Sequence, residues 1–393
     1  MRTLKYLIGT VFVALFPLLT FAAGFGVHWY LVRDQEPVAT EEFKVFWEAW
    51  HILENSFLGE DPPVKQRIYG AIRGLVSAYN DPYTVFVEPQ PRQREKEDLK
   101  GEFGGIGAWI IQEEDGSYSL RPMKGKPAER AGIRDGDILV AVDGHEIGPD
   151  MSIDEVVSLI RGPVGTVVRI EVRRAGVAEV LTFEVKRERI ETPSVEWRIL
   201  DEPPNTGYIK ISIFSERTAD ELTDALKDLT SQEVTRLVLD LRHNSGGLLD
   251  AAVDVASTFL RDGVVLYEQH AGGEEKTYKV RRRSIVFDGP IVVLVDRATA
   301  SASEIVAGAL QDHGRALLFG ERTFGKGSVQ LVHDLSDGSS LHVTAARWLT
   351  PKRHQIDGQG LTPDVPVNVT QKDLASGRDP VLERALERLA ALP

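Results

Sequence analysis

Ile291-Val292-Val293-Leu294-Val295, then Thr299-Ala300-Ser301-Ala302-Ser303-Glu304 opening a helical stretch to Leu310, reads as a strand, a turn and a helix. Such a unit lifts the Ser301 hydroxyl to the rim of a sheet and points helix N–H groups at it. The same alternation extends on both sides. Residues 207–212 alternate as a strand, a helix follows over about 219–229, and 237–241 is a buried strand. A helix around 249–260 and a strand at 317–319 continue the series. Strand–helix alternation of this kind predicts an α/β core around a largely buried sheet.

Gly325-Lys326-Gly327 lies twenty-five positions beyond Ser301. A lysine activates a hydroxyl only when neutral, which requires desolvation. Glycines on both sides, with Phe324 nearby, let Lys326 run into a packed site. The pair reads as a serine–lysine hydrolase. Two plainer readings stand beside it. Ser301-Ala302-Ser303-Glu304 fits a capping box, and on those four residues alone that is the stronger reading. Residues 320–327 nearly spell a phosphate-binding loop, but Gly327 stands where a Ser or Thr is needed, and the following residues alternate like a strand.

The stretch 296–330 resembles the active-site region of the carboxyl-terminal processing proteases, also called tail-specific proteases. These are membrane-associated or exported serine peptidases with a Ser-Lys dyad. The chain carries T-A-S-A-S-E-I, Q-D-x-G-R-A and G-x-x-T-F-G-K-G-x-V-Q at the family spacing. The resemblance implies that Ser301 is the nucleophile, Lys326 the general base and Gln330 the residue that orients it. On a strand, positions 326, 328 and 330 face the same way, which agrees with that assignment. Asp312 matches an acidic position, expected to support the site by hydrogen bonds. Residues 237–247 resemble the L-D-L-R-x-N-x-G-G block, with Ser245 where many members have proline or glycine. The resemblance assigns the N–H groups of Gly246 and Gly247, with that of Ala302, to the oxyanion hole. A lone Gly-Gly after a strand would otherwise be an ordinary βα turn.

Residues 101–187 change to short strands with glycine turns. Phe103-Gly104-Gly105-Ile106-Gly107, Ala131-Gly132-Ile133 and Asp135-Gly136-Asp137-Ile138 resemble a PDZ domain of the protease-associated kind. By that likeness Gly104, Gly105, Ile106 and Gly107 would hold a peptide's terminal carboxylate, and the next strand would pair with the peptide. Arg161, at a turn near the end of this domain, is a candidate coupling residue between PDZ domain and protease, the plainer reading being a solvent-exposed hairpin arginine. Asn80-Asp81-Pro82-Tyr83-Thr84 matches the family's D-P-Y-T turn. Upstream, Phe43, Phe46, Trp47, Trp50 and Leu53 share one helical face, and Tyr69, Ile72, Leu75 and Val76 another, both expected to face a core. Residues 92–100 are highly charged, a linker or exposed helix.

With 46 basic and 59 acidic residues, the net charge of −13 argues against nucleic acid as a partner. Zero cysteine excludes disulfides and thiolate chemistry. No metal site or cofactor is expected. His243 and His313 fall in the catalytic blocks, but neither follows the family pattern as a base. Arg2 and Lys5 precede a nearly uncharged stretch over 6–32, and acidic residues follow it. At 27 residues it exceeds the roughly 20 that span a bilayer. Its flanking charges place the start of the chain in the cytoplasm and the rest outside.

The expected fold class is α/β multidomain. A membrane anchor or signal segment (1–33) precedes a helical segment (34–100), an inserted β-barrel-like PDZ domain (101–187), a mixed α/β serine peptidase core (188–370) and a terminal helix (371–393). The expected protein is a single-pass, membrane-tethered serine endopeptidase with its catalytic domains outside the cytoplasm. A cleaved, exported form is the variant. Its expected partners are protein or peptide substrates with apolar C-termini, and the membrane through 6–32. An adaptor protein and a homo-oligomer stay open. The alternative is a catalytically silent, membrane-tethered PDZ adaptor that binds protein C-termini.

Overall fold

A computed structural model of the chain describes residues 41–283 and 286–392. No helix among them is long and apolar enough to cross a membrane. The anchor expected over 6–32 lies outside the described residues.

Residues up to Ala71 belong to one compact unit and those from Ile72 to a second. The first contains α1 (Glu42–Ser56) and the start of α2 (Val64–Ser77). Here the sequence expectation is corrected. Phe43, Trp47 and Leu53 of α1 are half exposed or more, not buried in a core. Their rings pack instead on neighbours of the same helix, with Phe43 and Phe46 centroids 5.2 Å apart and Phe46 and Trp47 5.3 Å apart. A 3.6-residue period says which side chains share a face, not what covers that face. The α2 face is divided: Tyr69 and Val76 are buried, and Leu75 is exposed.

The second unit opens with β1 (Val85–Val87) and α3 (Pro89–Lys100), the charged segment. The PDZ region follows as β2 (Glu102–Gly105), β3 (Ala108–Gln112), β4 (Tyr118–Pro122), α4 (Pro127–Ala131) and β5 (Asp137–Val142). It continues through β6 (His145–Glu146), α5 (Ile153–Ile160), β7 (Val167–Arg173), β8 (Leu181–Lys186) and β9 (Glu188–Glu191). Its main sheet runs β3-β4-β5-β7-β8, while β2 pairs with β9 as a separate ribbon. Val168, Ile170 and Val172 point inward from β7 onto Val156 and Ile160 of α5, as the alternating pattern predicts.

The remaining core is β10 (Val195–Leu200), β11 (Thr206–Ile211), α6 (Thr218–Ser231), β12 (Arg236–Asp240) and α7 (Leu249–Phe259). Then come β13 (Val264–His270), β14 (Glu275–Lys279), β15 (Ile291–Val295), α8 (Ala302–Asp312) and β16 (Leu317–Gly320). The chain ends with β17 (Ser328–Asp334), β18 (Ser340–Leu349), β19 (Val365–Pro366), α9 (Gln371–Ala375) and α10 (Pro380–Ala390). The central sheet runs β10-β11-β12-β15-β16-β19, parallel from β11 onward. Leu237, Leu239, Ile291 and Val293 pack on the side of α6, α7 and α8. Val238, Val292 and Leu294 pack against Val381, Ala385 and Leu389 of α10 on the other. Burial on both faces explains why these strands read as unbroken apolar runs. A second sheet, β1-β18-β13-β14 with β17 on β18, flanks the first. Neighbouring strands β12, β15 and β16 end side by side, where open α/β sheets place their ligands.

Candidate active site

Ser301 sits between β15 and α8 with φ 56° and ψ −117°. A serine holds such a backbone only where its surroundings over-determine it. Here they do. Ala300 N–H donates to Asn244 O at 3.0 Å, and Ser303 Oγ donates to the same oxygen at 2.9 Å. Asn244 is fully buried in the turn after β12; its amide donates to Ile211 O and accepts from Gly246 N–H, each at 2.9 Å.

Glu304 completes the clamp. The capping reading foresaw that its carboxylate reaches back to Ser301 N–H, and it does so at 2.9 Å through Oε2. That same oxygen also accepts from Lys326 N–H at 2.9 Å. The two backbone nitrogens therefore lie within about 6 Å of one another. Oε1 accepts from Thr323 Oγ1 at 2.5 Å and from Gly325 N–H at 2.8 Å. Full burial pushes the Glu304 carboxyl above the usual carboxylate range, and these four donors pull it back. Sequence reasoning gave Glu304 only a capping role. The signal for more was present: it is the sole charge in the apolar stretch 302–310, all of which is buried.

Lys326 lies in the loop before β17, its Nζ 5.5 Å from the centre of the Tyr83 ring. Burial pushes its amine below the ordinary lysine value, while the Glu95 carboxylate acts in the opposite sense. Glu95 lies on α3, its Oε2 3.4 Å from His342 Nε2 and 2.7 Å from Arg92 Nη1. The flanking glycines are required by close approach. A Cβ on Gly327 would fall 2.2 Å from Asp357 N, and Gly325 O accepts from Gly358 N–H at 2.9 Å. One expectation is corrected: β17 begins at Ser328, and its register shifts between Val329 and Gln330. Residues 326, 328 and 330 therefore do not form one regular strand face. Gln330 Nε2 donates to Ser328 Oγ at 2.8 Å.

The glycine turn meets the serine turn directly. A Cβ on Gly246 would lie 2.8 Å from Ser301 Cβ and 3.1 Å from Ala302 N. Gly246 O and Leu248 N–H bond to Phe214, at 2.9 and 2.7 Å, which leaves the Gly247 N–H outside that bridge. Ala302 N–H, first in α8, has no acceptor one turn earlier in its helix. Behind the turn, Arg242 is held by Asp240 at 2.6 Å and by Asp379, the N-cap of α10, at 2.8 Å.

Asp312 lies at the opposite end of α8, about 16 Å along the helix from Ser301. Its carboxylate accepts from Lys352 N–H at 2.8 Å. His243 is exposed, 3.1 Å from Asp296, and His313 Nε2 lies 2.8 Å from Val264 O. Among the described residues no cluster of three or more His, Asp or Glu could hold a metal ion.

In the PDZ region a groove of about 390 Å³ is lined by Ile106, Gly107, Trp109, Val157, Ile160 and Arg161. It runs beside β3, an edge strand paired only with β4 among the described strands. Gly104 and Gly105 belong to β2, opposite Arg189 and Glu188. Arg161 stacks 3.8 Å over the Phe103 ring, with Nη1 3.7 Å from Glu97 on α3. From the same helix Arg94 donates to Asp154 O of α5 at 3.1 Å, and Arg92 to Asp334 of β17 at 3.0 Å.

Residues 205–367 match the model of peptidase family S41, and residues 118–174 match a PDZ domain. A carboxyl-terminal-processing protease of Synechocystis sp. is 34% identical over 94% of this chain and 92% of its own length. The carboxy-terminal processing protease CtpA of Bacillus subtilis is 38% identical over 75% of this chain, which spans 63% of that protein. A solved S41-type structure from Bacteroides fragilis, 16% identical, shares the fold with a TM-score of 0.53 over 91% of this chain and all of its own. The chain therefore belongs to the carboxyl-terminal processing serine proteases of peptidase family S41, and it carries a PDZ domain.

Proposed function

We propose that this protein cuts polypeptides with Ser301 as nucleophile and Lys326 as general base. The observation that carries the reading is the single buried carboxylate oxygen of Glu304 that accepts from both backbones. The neutral amine takes the hydroxyl proton as Ser301 Oγ bonds to the scissile carbonyl carbon. The tetrahedral oxyanion is met by the N–H groups of Gly247 and Ala302. Gly246 serves by its close approach to Ser301, since its own N–H already donates to Asn244. Collapse, with the lysine's proton passed to the departing nitrogen, releases the amine fragment, and water then hydrolyses the acyl-enzyme. Gln330 acts through Ser328 at the start of β17, and Asp312 steadies the turn at Lys352.

The PDZ groove beside β3 would catch an apolar C-terminal tail, with Ile106 and Gly107, between β2 and β3, at its carboxylate, while Gly104 and Gly105 pair with β9. Residues 6–32 would tether the enzyme so that it works on exported or membrane proteins outside the cytoplasm. Cleavage of an unstructured protein with an apolar tail tests the chemistry. Ser301→Ala and Lys326→Ala should each reduce it on the order of 10³-fold or more. Intact turnover in either variant removes the dyad. Fractionating cells that express the chain with and without residues 1–33 tests the tether.

A further inference from the structure

A cleft of about 910 Å³ opens beside Lys326. Its walls include Leu75, Tyr79 and Tyr83 on one side, Leu341 and Val343 of β18 on another, and Asp357 at a polar end. Leu75 and Tyr79 are largely open to solvent, at 65% and 72% exposure, although apolar or aromatic. Two of its walls adjoin the lysine. Tyr83, one of its walls, has its ring 5.5 Å from Lys326 Nζ, and Asp357 belongs to the loop that packs on Gly325 and Gly327. Asp357 Oδ1 is buried without a hydrogen-bond donor, while Oδ2 lies 3.9 Å from Arg347 Nε.

We infer that this cleft receives apolar side chains of the substrate on the departing side of the scissile bond. This rests on Lys326 being the base. The proton that Nζ takes from Ser301 Oγ must be returned to the departing nitrogen as the C–N bond breaks. That nitrogen therefore passes within hydrogen-bond reach of Nζ, and the residue bearing it lies at the mouth of the cleft by Tyr83. Apolar walls favour Leu or Phe there. An acidic side chain gains nothing from the apolar walls and loses hydration on entering, so it is disfavoured even with Arg347 opposite Asp357.

The test uses peptides with one fixed sequence before the scissile bond and one fixed apolar tail, varying only the residue after the bond among Leu, Phe, Ala and Asp. Mass spectrometry locates the cut. Wild-type kcat/KM should favour Leu and Phe over Asp by about tenfold or more. Leu341→Trp should fill the cleft and lower the Phe-to-Ala ratio of kcat/KM by about tenfold. Leu75→Glu changes an exposed side chain, so folding is not at stake, and it should lower the same ratio. Both substitutions are also placed on Ser301→Ala, where binding of the Leu peptide is followed by fluorescence anisotropy and should weaken about fivefold or more. An unchanged Phe-to-Ala ratio in both variants, or a preference that moves only with the residue before the bond, overturns the inference. Cleavage by the Ser301→Ala protein would remove the dyad instead, and the binding measurement would still judge the cleft.

Discussion

Gly246 approaches Ser301 so closely that a methyl group on the glycine would sit 2.8 Å from the serine Cβ. Its φ of 114° also excludes an L side chain without strain. Gly246→Ala should therefore displace the serine turn. The expected result is a fall in kcat of roughly 10²-fold or more, with far-UV circular dichroism unchanged. Near-normal kcat would mean that the turn tolerates a Cβ there.

Glu304 offers only acceptors to four donors, so its chemistry is tightly constrained. Glu304→Gln turns one end of the side chain into a donor that faces N–H or O–H groups. Glu304→Ala leaves all four donors buried and unmet. Either change should destabilise the fold by roughly 2 kcal/mol or more, the alanine by the larger amount. Thermal denaturation measures this, and activity should fall further than stability does.

As the proposed base Lys326 would act in its neutral form, and Glu95 favours its charged form. Removing that negative charge lowers the amine pKa further. In Glu95→Gln the rising limb of kcat/KM against pH should accordingly move to lower pH than in the wild type. A limb that stays put, or moves up, would show that Glu95 does not act on the amine.

Arg161 joins the PDZ groove to α3 by stacking on Phe103 and pairing with Glu97. If this contact carries coupling, Arg161→Ala should bring the kcat/KM ratio of tailed to tail-less peptides toward one. Tail binding that falls in parallel, with the ratio kept, would assign Arg161 to affinity alone.

Much of this was readable in the chain. The strand–turn–helix at Ser301 and the runs of β12 and β15 declare a doubly covered sheet, because burial on both faces leaves no polar alternation to confuse. The Ala131–Ile138 block and the alternating Val168, Ile170 and Val172 likewise gave the PDZ region. What escaped depends on distance between segments. Nothing local says that Glu304 serves Lys326 as well as Ser301, or that Tyr83 and Glu95 lie near an amine more than two hundred positions away. The α1 face was misread for the same reason, since periodicity records an apolar stripe but not its cover. Lys326 and Gln330 failed as a strand pair because the close packing at Asp357 keeps the chain irregular until Ser328.

Asp379 reaches Arg242 from the back of the sheet, and Arg242 immediately precedes the loop that ends in Gly246 and Gly247. The helix from Pro380 to Ala390 is thus wired to the catalytic face without touching it. A compound or antibody that prised this helix away would leave Arg242 held by Asp240 alone and slacken the glycine loop. The rear of the sheet is therefore a place to switch the enzyme off remotely, with the substrate path left open.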